Sequence, residues 1–212
     1  MSIFGEQNFG VPQPGTVSPT ETFQSASNLT TYTLSDVDFG TGGKIIIGMA
    51  SAPVRTVSSW TADGETVTVR THLSGTEVFC TIGTADVGTA TSGDIVIQFS
   101  GECYRIQGLV WDVANVDLTT VSSNPTADQS WNLQFSTIAA NGIAVAVAYD
   151  QDAGMTGVTN MGDYTESSVQ ESASMAGASK AFSSAQSNYD MNFDGTKHND
   201  GSGSAGLAVP PS

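Results

Sequence analysis

Residues 44–49 read KIIIGM and decide the fold class, because they place three β-branched isoleucines in a row. A strand with one face in water alternates apolar and polar side chains, whereas a strand covered on both faces is apolar throughout. The stretch therefore predicts a β-strand that is buried on both faces. Gly40-Thr41-Gly42-Gly43 precedes it and is typical of a turn.

Strand and turn signals continue on both sides of this stretch. Asp63-Gly64 is a hairpin signal, since both residue types tolerate positive φ, and residues 66–71 alternate Thr with Val and Arg. Residues 143–149 read IAVAVAY behind Asn141-Gly142, which repeats the turn-then-apolar pattern as a recurring hairpin device. Turn clusters recur about every 8–15 residues, the spacing of a sandwich or barrel. Residues 118–121 are expected to form another strand, and residues 165–185 either a helix or a Thr/Ser-rich edge strand.

Composition excludes several classes of protein. The 212 residues include 21 acidic and 6 basic side chains, for a net charge of −15, and Ser and Thr together number 51. Six cations cannot build the basic face that nucleic-acid binding requires. No apolar run approaches the roughly 18 residues of a membrane span, and the heptads of a coiled coil are absent.

The chain divides into an arm and a β domain. Residues 1–28 contain Pro12, Pro14 and Pro19 and no sustained periodicity, which predicts an extended N-terminal arm. Residues 29–212 are predicted to form an antiparallel β-sandwich, either jelly-roll or immunoglobulin-like. Phe4, Phe9 and Val11 are apolar residues within the arm. They either cover the protein's own surface or dock on a neighbouring subunit, and we take them as partner-binding candidates. The first residues lack the pattern of a signal peptide.

Cysteine and histidine are too few for most catalytic or zinc chemistry. Cys80 alternates with apolar residues and is expected to be buried, whereas Cys103 alternates with Arg105 and Gln107 and is expected on a wet face. We predict two free thiols. His72 follows an alternating strand and is expected at the surface, and no Gly-x-Ser-x-Gly elbow is present. These patterns predict a protein that is not an enzyme.

One motif resembles half of a calcium loop. Asp190, Asn192 and Asp194 alternate before Gly195, as the first oxygen ligands of such a loop do. The twelfth position, which should be a bidentate Glu, is Gly201. A plain strand that ends in an Asp-Gly turn explains the same residues, so we predict no cofactor and keep calcium as the alternative. Asp150 and Asp152 form a weaker oxygen cluster.

Residues 30–212 resemble β-sandwich structural proteins of tailed-bacteriophage virions. The motifs that carry the resemblance are Thr31-Tyr32-Thr33-Leu34, Gly43-Lys44-Ile45-Ile46-Ile47, Ser59-Trp60-Thr61-Ala62-Asp63-Gly64-Glu65, Gly93-Asp94-Ile95-Val96-Ile97, Gly142-Ile143-Ala144-Val145-Ala146-Val147-Ala148 and Leu207-Ala208-Val209. The resemblance implies a non-enzymatic head decoration, cement or fibre-base protein, located in the virion and assembled in the host cytoplasm. It implies binding to the major capsid protein or other virion subunits and homo-oligomer formation, with no nucleic-acid or membrane partner.

Two other functions stay open at the level of sequence. The first is a tail or fibre module that binds a carbohydrate receptor, such as a host surface glycan, through an exposed Tyr or through Trp60, Trp111 or Trp131. The second is a hydrolase with paired carboxylates, for which 21 acidic residues offer no specific pair.

Overall fold

The computed structural model describes residues 12–25, 27–41, 43–151, 154–170, 173–197 and 201–212, without the side chains of residues 105 and 166–170. This part of the chain is all-β, which confirms the predicted fold class, and none of its residues form a helix that could cross a membrane. The strands are β1 Thr16–Ser25, β2 Leu29–Asp38, β3 Lys44–Ala52, β4 Val57–Ala62, β5 Glu65–Thr66, β6 Thr68–Ser74, β7 Phe79–Asp86, β8 Ser92–Ala114, β9 Thr126–Asp128, β10 Asn132–Ile138, β11 Ile143–Asp150, β12 Met155–Thr159, β13 Gly162–Gln170, β14 Ala173–Ala181, β15 Gln186–Gly195 and β16 Ser202–Val209.

The first eight strands build one antiparallel sandwich. Its inner sheet has the order β1-β8-β3-β7-β6 and its outer sheet the order β2-β8-β4-β5. Strand β8 belongs to both sheets, because its first part pairs with β2 and β4 and its second part with β1 and β3. The Asp63-Gly64 turn between β4 and β5 has positive φ at both residues, as the sequence predicts for that hairpin.

The last eight strands build a second sandwich with the same plan. Its inner sheet has the order β9-β16-β11-β14-β13 and its outer sheet the order β10-β15-β12. Here β15 and β16 take the places that the two parts of β8 occupy in the first sandwich. The chain is therefore a structural duplication, and the turn-then-apolar pattern that repeats in the sequence marks equivalent connections in the two copies, β2–β3 and β10–β11. The prediction that these are hairpins is wrong, because β2 pairs with β8 and β10 with β15, so each connection crosses from the outer sheet to the inner sheet.

The connectivity of both copies is that of a jelly roll. In each sandwich the inner sheet places the first strand beside the last and then the third. The outer sheet places the second strand beside the last but one and then the fourth. This alternation between two sheets distinguishes a jelly roll from an immunoglobulin-like sandwich. Of the two sandwich types that the sequence left open, the structure has the jelly roll.

The two jelly rolls pack back to back through their inner sheets. Strand β3 contacts its counterpart β11, β1 contacts β13, and β9 contacts β6. Because β9 is the counterpart of β1 and β13 that of β6, each copy offers the same surface to the other, as in a two-fold dimer. The result is a stack of four sheets with three apolar layers between them.

Successive side chains of an inner strand point to opposite faces of its sheet, so each inner strand contributes to two of these apolar layers. On β11, Ile143, Val145, Val147 and Tyr149 enter the central core between the two jelly rolls. The alanines between them, at 144, 146 and 148, face the outer sheet β10-β15-β12. This is why residues 45–49 and 143–149 are apolar throughout: both strands are covered on both faces, as their sequences predict.

Three segments can be compared with their sequence predictions. Residues 16–25 are strand β1 of the inner sheet, so the β domain begins before residue 29 and the predicted arm shortens accordingly. Residues 118 and 119 form a turn, and residues 120 and 121 have no regular secondary structure, so the predicted strand is absent there. Of the segment 165–185, residues 165–170 belong to β13 at the edge of the inner sheet, as the edge-strand alternative predicts, whereas β14 lies inside the sheet between β13 and β11.

Candidate functional site

The partner-binding candidates Phe4, Phe9 and Val11 lie outside the described residues, so their docking stays a prediction. The chain enters the fold at the junction of the two jelly rolls, where Gly15 N–H donates to Asn141 O at 2.8 Å. A side chain at Gly15 would lie 2.8 Å from Val116 Cγ1 and 3.1 Å from Ile143 Cγ2, so the chain passes close against both copies.

The calcium candidates Asp190, Asn192 and Asp194 lie on one face of β15, the middle strand of the outer sheet β10-β15-β12. Their neighbours Met191 and Phe193 point the other way, into the core. An extended strand does not wrap oxygen atoms around one centre as a calcium loop does. The strand prediction for these residues is confirmed, and within the described residues no group of three or more His, Cys, Asp or Glu could hold a metal ion.

The outward face of this sheet carries amide and hydroxyl side chains from all three strands. Asn192 lies between Asn132 of β10 and Thr159 of β12 in the strand register, and Asp190 lies beside Gln134. We name this surface the amide face, formed by Asn132, Gln134, Thr159, Asn160, Asp190, Asn192 and Asp194. Sequence reasoning singled out only the three β15 members, because the other strands join them only through sheet pairing.

The amide face is concave. A cavity of about 310 Å³ is bounded by Asn132, Gln134, Thr159, Asn160 and Asp190, among others. A second cavity of about 310 Å³ extends past Asp194 toward Lys197. Asn132 and Asn192 border both cavities, so the two lie side by side along β15.

Hydrogen bonds hold the carboxylates of the amide face in place. Gln134 Nε2 donates to Asp190 Oδ1 at 2.8 Å. Thr159 Oγ1 donates to Asp194 Oδ2 at 3.0 Å, and Asn192 Nδ2 donates to Asp194 Oδ1 at 3.2 Å. Within the described part of the chain, the side-chain amide of Asn132 has no hydrogen-bond partner. The face therefore presents oriented donors and acceptors with little positive charge.

The three tryptophans are buried, with exposed fractions of 3% for Trp60, 0% for Trp111 and 4% for Trp131. Trp131 Nε1 donates to Tyr149 O at 3.4 Å inside the fold. None of the three can stack on a sugar at the surface, which corrects their sequence-based candidacy. Tyr104, on the bend of β8, is 43% exposed and lies away from the amide face.

Both cysteines are free and buried, so the prediction of free thiols is confirmed. The wet-face prediction for Cys103 is wrong, because its side chain lies in the core of the first jelly roll with Phe99 and Ile106. Burial raises the pKa of the Cys103 thiol to about 12, against a smaller lowering effect of Arg55, and burial also raises the pKa of Cys80. Neither thiol is poised as a nucleophile.

His72 is half-buried, and its ring packs on Phe79 with centroids 5.9 Å apart. Both ring nitrogens are shielded from solvent, and neither has a hydrogen-bond partner among the described residues. Burial lowers the pKa of His72, so the ring is neutral at pH 7. The expectation of a surface histidine was therefore wrong.

Asp150 is fully buried at the end of β11, between Ser174 and Ser202 in the strand register. Asp152, its companion in the weaker oxygen cluster, lies outside the described residues. The cluster therefore has one member whose position is known, and that member faces the protein interior.

Comparison with known proteins does not place the chain in a family. No family model matches it, and no curated protein matches it. Among solved structures, it is weakly similar to the turret protein of Sulfolobus turreted icosahedral virus, at 11% sequence identity over 93% of this chain and 99% of that chain. The TM-score is 0.19, a value at which the similarity carries no argument about fold or function.

Proposed function

We propose that the protein is a non-enzymatic structural subunit of a virion, attached to the capsid as a decoration, cement or fibre-base protein. The observation that carries the proposal is the pair of jelly rolls that share one apolar core. Jelly rolls are common in viral capsid proteins, although they also occur in lectins and cupins. A fold alone does not assign a function, so the surface and the N-terminal segment must support the same role.

The surface chemistry supports a role in assembly. Five of the six cations donate to carbonyl oxygens of the chain itself: Lys44 to Val116, Arg55 to Val54, Arg70 to Leu118, Lys180 to Asn160 and Lys197 to Gln129. Few long mobile cations remain to be ordered when a neighbour packs against the protein, which lowers the entropic cost of association. The net charge of −15 disfavours contact with a packaged genome.

The N-terminal segment is the proposed attachment device. Residues 1–11 precede the point where the chain enters between the two jelly rolls, and they contain Phe4, Phe9 and Val11. An apolar segment that docks on the major capsid protein or another virion subunit would bury these side chains, at about 1.5–3 kcal/mol each for the larger ones. Several copies of the chain on one capsid would make it part of a symmetric assembly.

Particle occupancy tests this role. Particles would be purified on a density gradient from a culture that produces the chain, and copies per particle would be measured for the full chain and for a variant that lacks residues 1–11. The deletion ends before β1, because the loss of β1 would uncover β8 and damage the fold. We expect the variant to fold normally and its occupancy to fall about tenfold or more.

A Phe4→Ser, Phe9→Ser double variant is the matched control, because it keeps the backbone of the N-terminal segment and removes only two apolar side chains. We expect it to lose occupancy nearly as strongly, since the apolar side chains supply the binding energy. Unchanged occupancy after the deletion, or the absence of the chain from particles, would contradict the proposal.

A second candidate function is a tail or fibre module that binds a carbohydrate receptor. The buried tryptophans give it no support. The amide face supports it.

A further inference from the structure

The duplicated fold supplies an internal control for the amide face. The corresponding outward face of the first jelly roll carries Thr31, Thr33, Ser59, Thr61, Asp94, Val96 and Gln98. Thr and Val favour strands, whereas Asn and Asp are depleted from them. The same architectural position thus holds mainly Thr, Ser and Val in one copy and mainly Asn and Asp in the other. A local departure of this kind is typical of a functional site.

The amide face also has the shape of a binding site. Its two cavities, each of about 310 Å³, lie within the range of small-ligand sites and are adjacent at Asn132 and Asn192. Gly157 lies in the register opposite Asp194, and a side chain there would meet only Asp194 Oδ2 at 3.8 Å. The absence of a side chain at that position keeps the surface above β12 open.

The polar groups select the class of ligand. The Asn132 amide offers both a donor and an acceptor, and a ligand hydroxyl can satisfy both. Asn192 Nδ2 already donates to Asp194 Oδ1 and Asn160 Nδ2 to Asp190 O, so each of these amides offers its second N–H and its oxygen. The carboxylates of Asp190 and Asp194 accept from hydroxyl groups but repel phosphate, sulfate and acidic sugars. Lys197, at the end of the groove, already donates to Gln129 O.

We infer that the amide face binds a neutral oligosaccharide, whose hydroxyl groups lie along β15 between Gln134 and Lys197. Two adjacent cavities along one strand favour several sugar units over one. The ligand lies across the face of the sheet, so it makes no use of a strand edge, which a bound peptide strand would need. This assignment does not depend on a role in the virion.

The experiment begins with the full chain on an array of neutral and acidic oligosaccharides, in buffer that contains EDTA. The neutral oligosaccharide with the strongest signal is then titrated calorimetrically. The groove variant is Asn132→Thr with Asn192→Thr, and Gln98→Thr on the first jelly roll is the matched control. We expect the groove variant to lose about tenfold or more in affinity, because two amide contacts are removed, and the control to stay within about twofold.

Thermal unfolding separates this role from a structural one. Because threonine is the better strand former, the groove variant should unfold at the same temperature as the unmodified chain or higher. Loss of binding without loss of stability would identify Asn132 and Asn192 as ligand contacts. The inference is overturned if no neutral oligosaccharide binds, if acidic ones or peptides bind instead, if binding needs added calcium, or if the groove variant binds normally. None of these outcomes bears on the virion role, which particle occupancy tests separately.

Discussion

At the scale of single residues, the central core depends on glycines that face an aromatic ring. A side chain at Gly48 would lie 2.4 Å from Val147 Cγ1 and 2.9 Å from Trp111 Cζ3. One at Gly177 would lie 2.8 Å from Trp111 Cζ2. Trp111 thus occupies the space above two strands from opposite jelly rolls, and only residues without a side chain leave room for it.

We therefore expect Gly48→Ala to lower the free energy of unfolding by about 1–3 kcal/mol, through overpacking of a rigid core. Urea denaturation followed by tryptophan fluorescence measures the change. Gly157→Ala is the matched control, since its side chain would meet open space on a strand of the outer sheet. Equal stability of the two variants would contradict the packing of Trp111 between the inner sheets.

His72 should make the fold sensitive to mild acid. Burial lowers the pKa of His72 in the folded state below its ordinary value of 6.5, so the unfolded chain takes up the proton first. Stability is then full above about pH 6.5 and falls as the pH decreases toward the folded-state pKa.

We expect His72→Phe to flatten this pH dependence between pH 7 and 5, since a phenyl ring can pack on Phe79 and does not titrate. Urea midpoints measured at several pH values for both proteins test this expectation. A slope that is identical in the two proteins would show that other groups control the acid response.

At the scale of elements, the segment between β8 and β9, which links the two jelly rolls, is hydrogen-bonded to the first jelly roll. Lys44 Nζ donates to Val116 O at 2.7 Å, and the Arg70 guanidinium donates to Leu118 O and, through Nε, to Thr84 Oγ1 at 2.9 Å. The next turn is closed by Asp117, whose carboxylate accepts from the hydroxyls of Thr119 and Thr120. These hydrogen bonds lower the pKa of Asp117 to about 2. The link is an ordered part of the fold.

We expect Lys44→Met with Arg70→Met to release this link. Hydrogen exchange at residues 116–120 should accelerate at least tenfold, because the carbonyl groups lose charged donors worth about 1.5–3 kcal/mol each. Exchange within β11 should stay slow and serves as the internal control. Unchanged protection at 116–120 would mean that backbone contacts such as Asp117 N–H to Pro210 O hold the link alone.

At the scale of the whole molecule, the shared core should make the two jelly rolls unfold together. The central core takes Ile46, Leu109 and Trp111 from the first copy and Val145, Val147 and Leu207 from the second. Separation of the copies would expose all of these side chains to water, at about 25 cal/mol for each Å² of apolar surface.

Single-probe variants can test this cooperativity. Trp60 lies in the first jelly roll and Trp131 in the second. A chain that keeps only Trp60 and one that keeps only Trp131, with Phe at the other positions, should each show one transition with coincident urea midpoints after correction for the substitutions. Two separate midpoints would contradict a shared core.

Particular residues show which features the sequence predicts and which it does not. The isoleucines at 45–47 and the alternation at 143–149 identify strands with two covered faces, and Asp63-Gly64 identifies a hairpin, because these signals are local. The prediction that Cys103 lies on a wet face failed because β8 bends there and passes from one sheet to the other. Residues 118–121 carry strand formers, yet Asp117 and the following threonines close a turn through side-chain hydrogen bonds that override propensity.

The amino-acid sequence by itself determined the all-β class, the turn positions and the strands that must be buried, since each follows from a period of two and from local backbone preference. Only the tertiary structure decided the jelly-roll order, the duplication, the stack of four sheets and the amide face. Strand alternation shows that a face is covered but not what covers it. Asn132, Asn192 and Thr159 come from three separate strands, and only non-local pairing brings them into one surface.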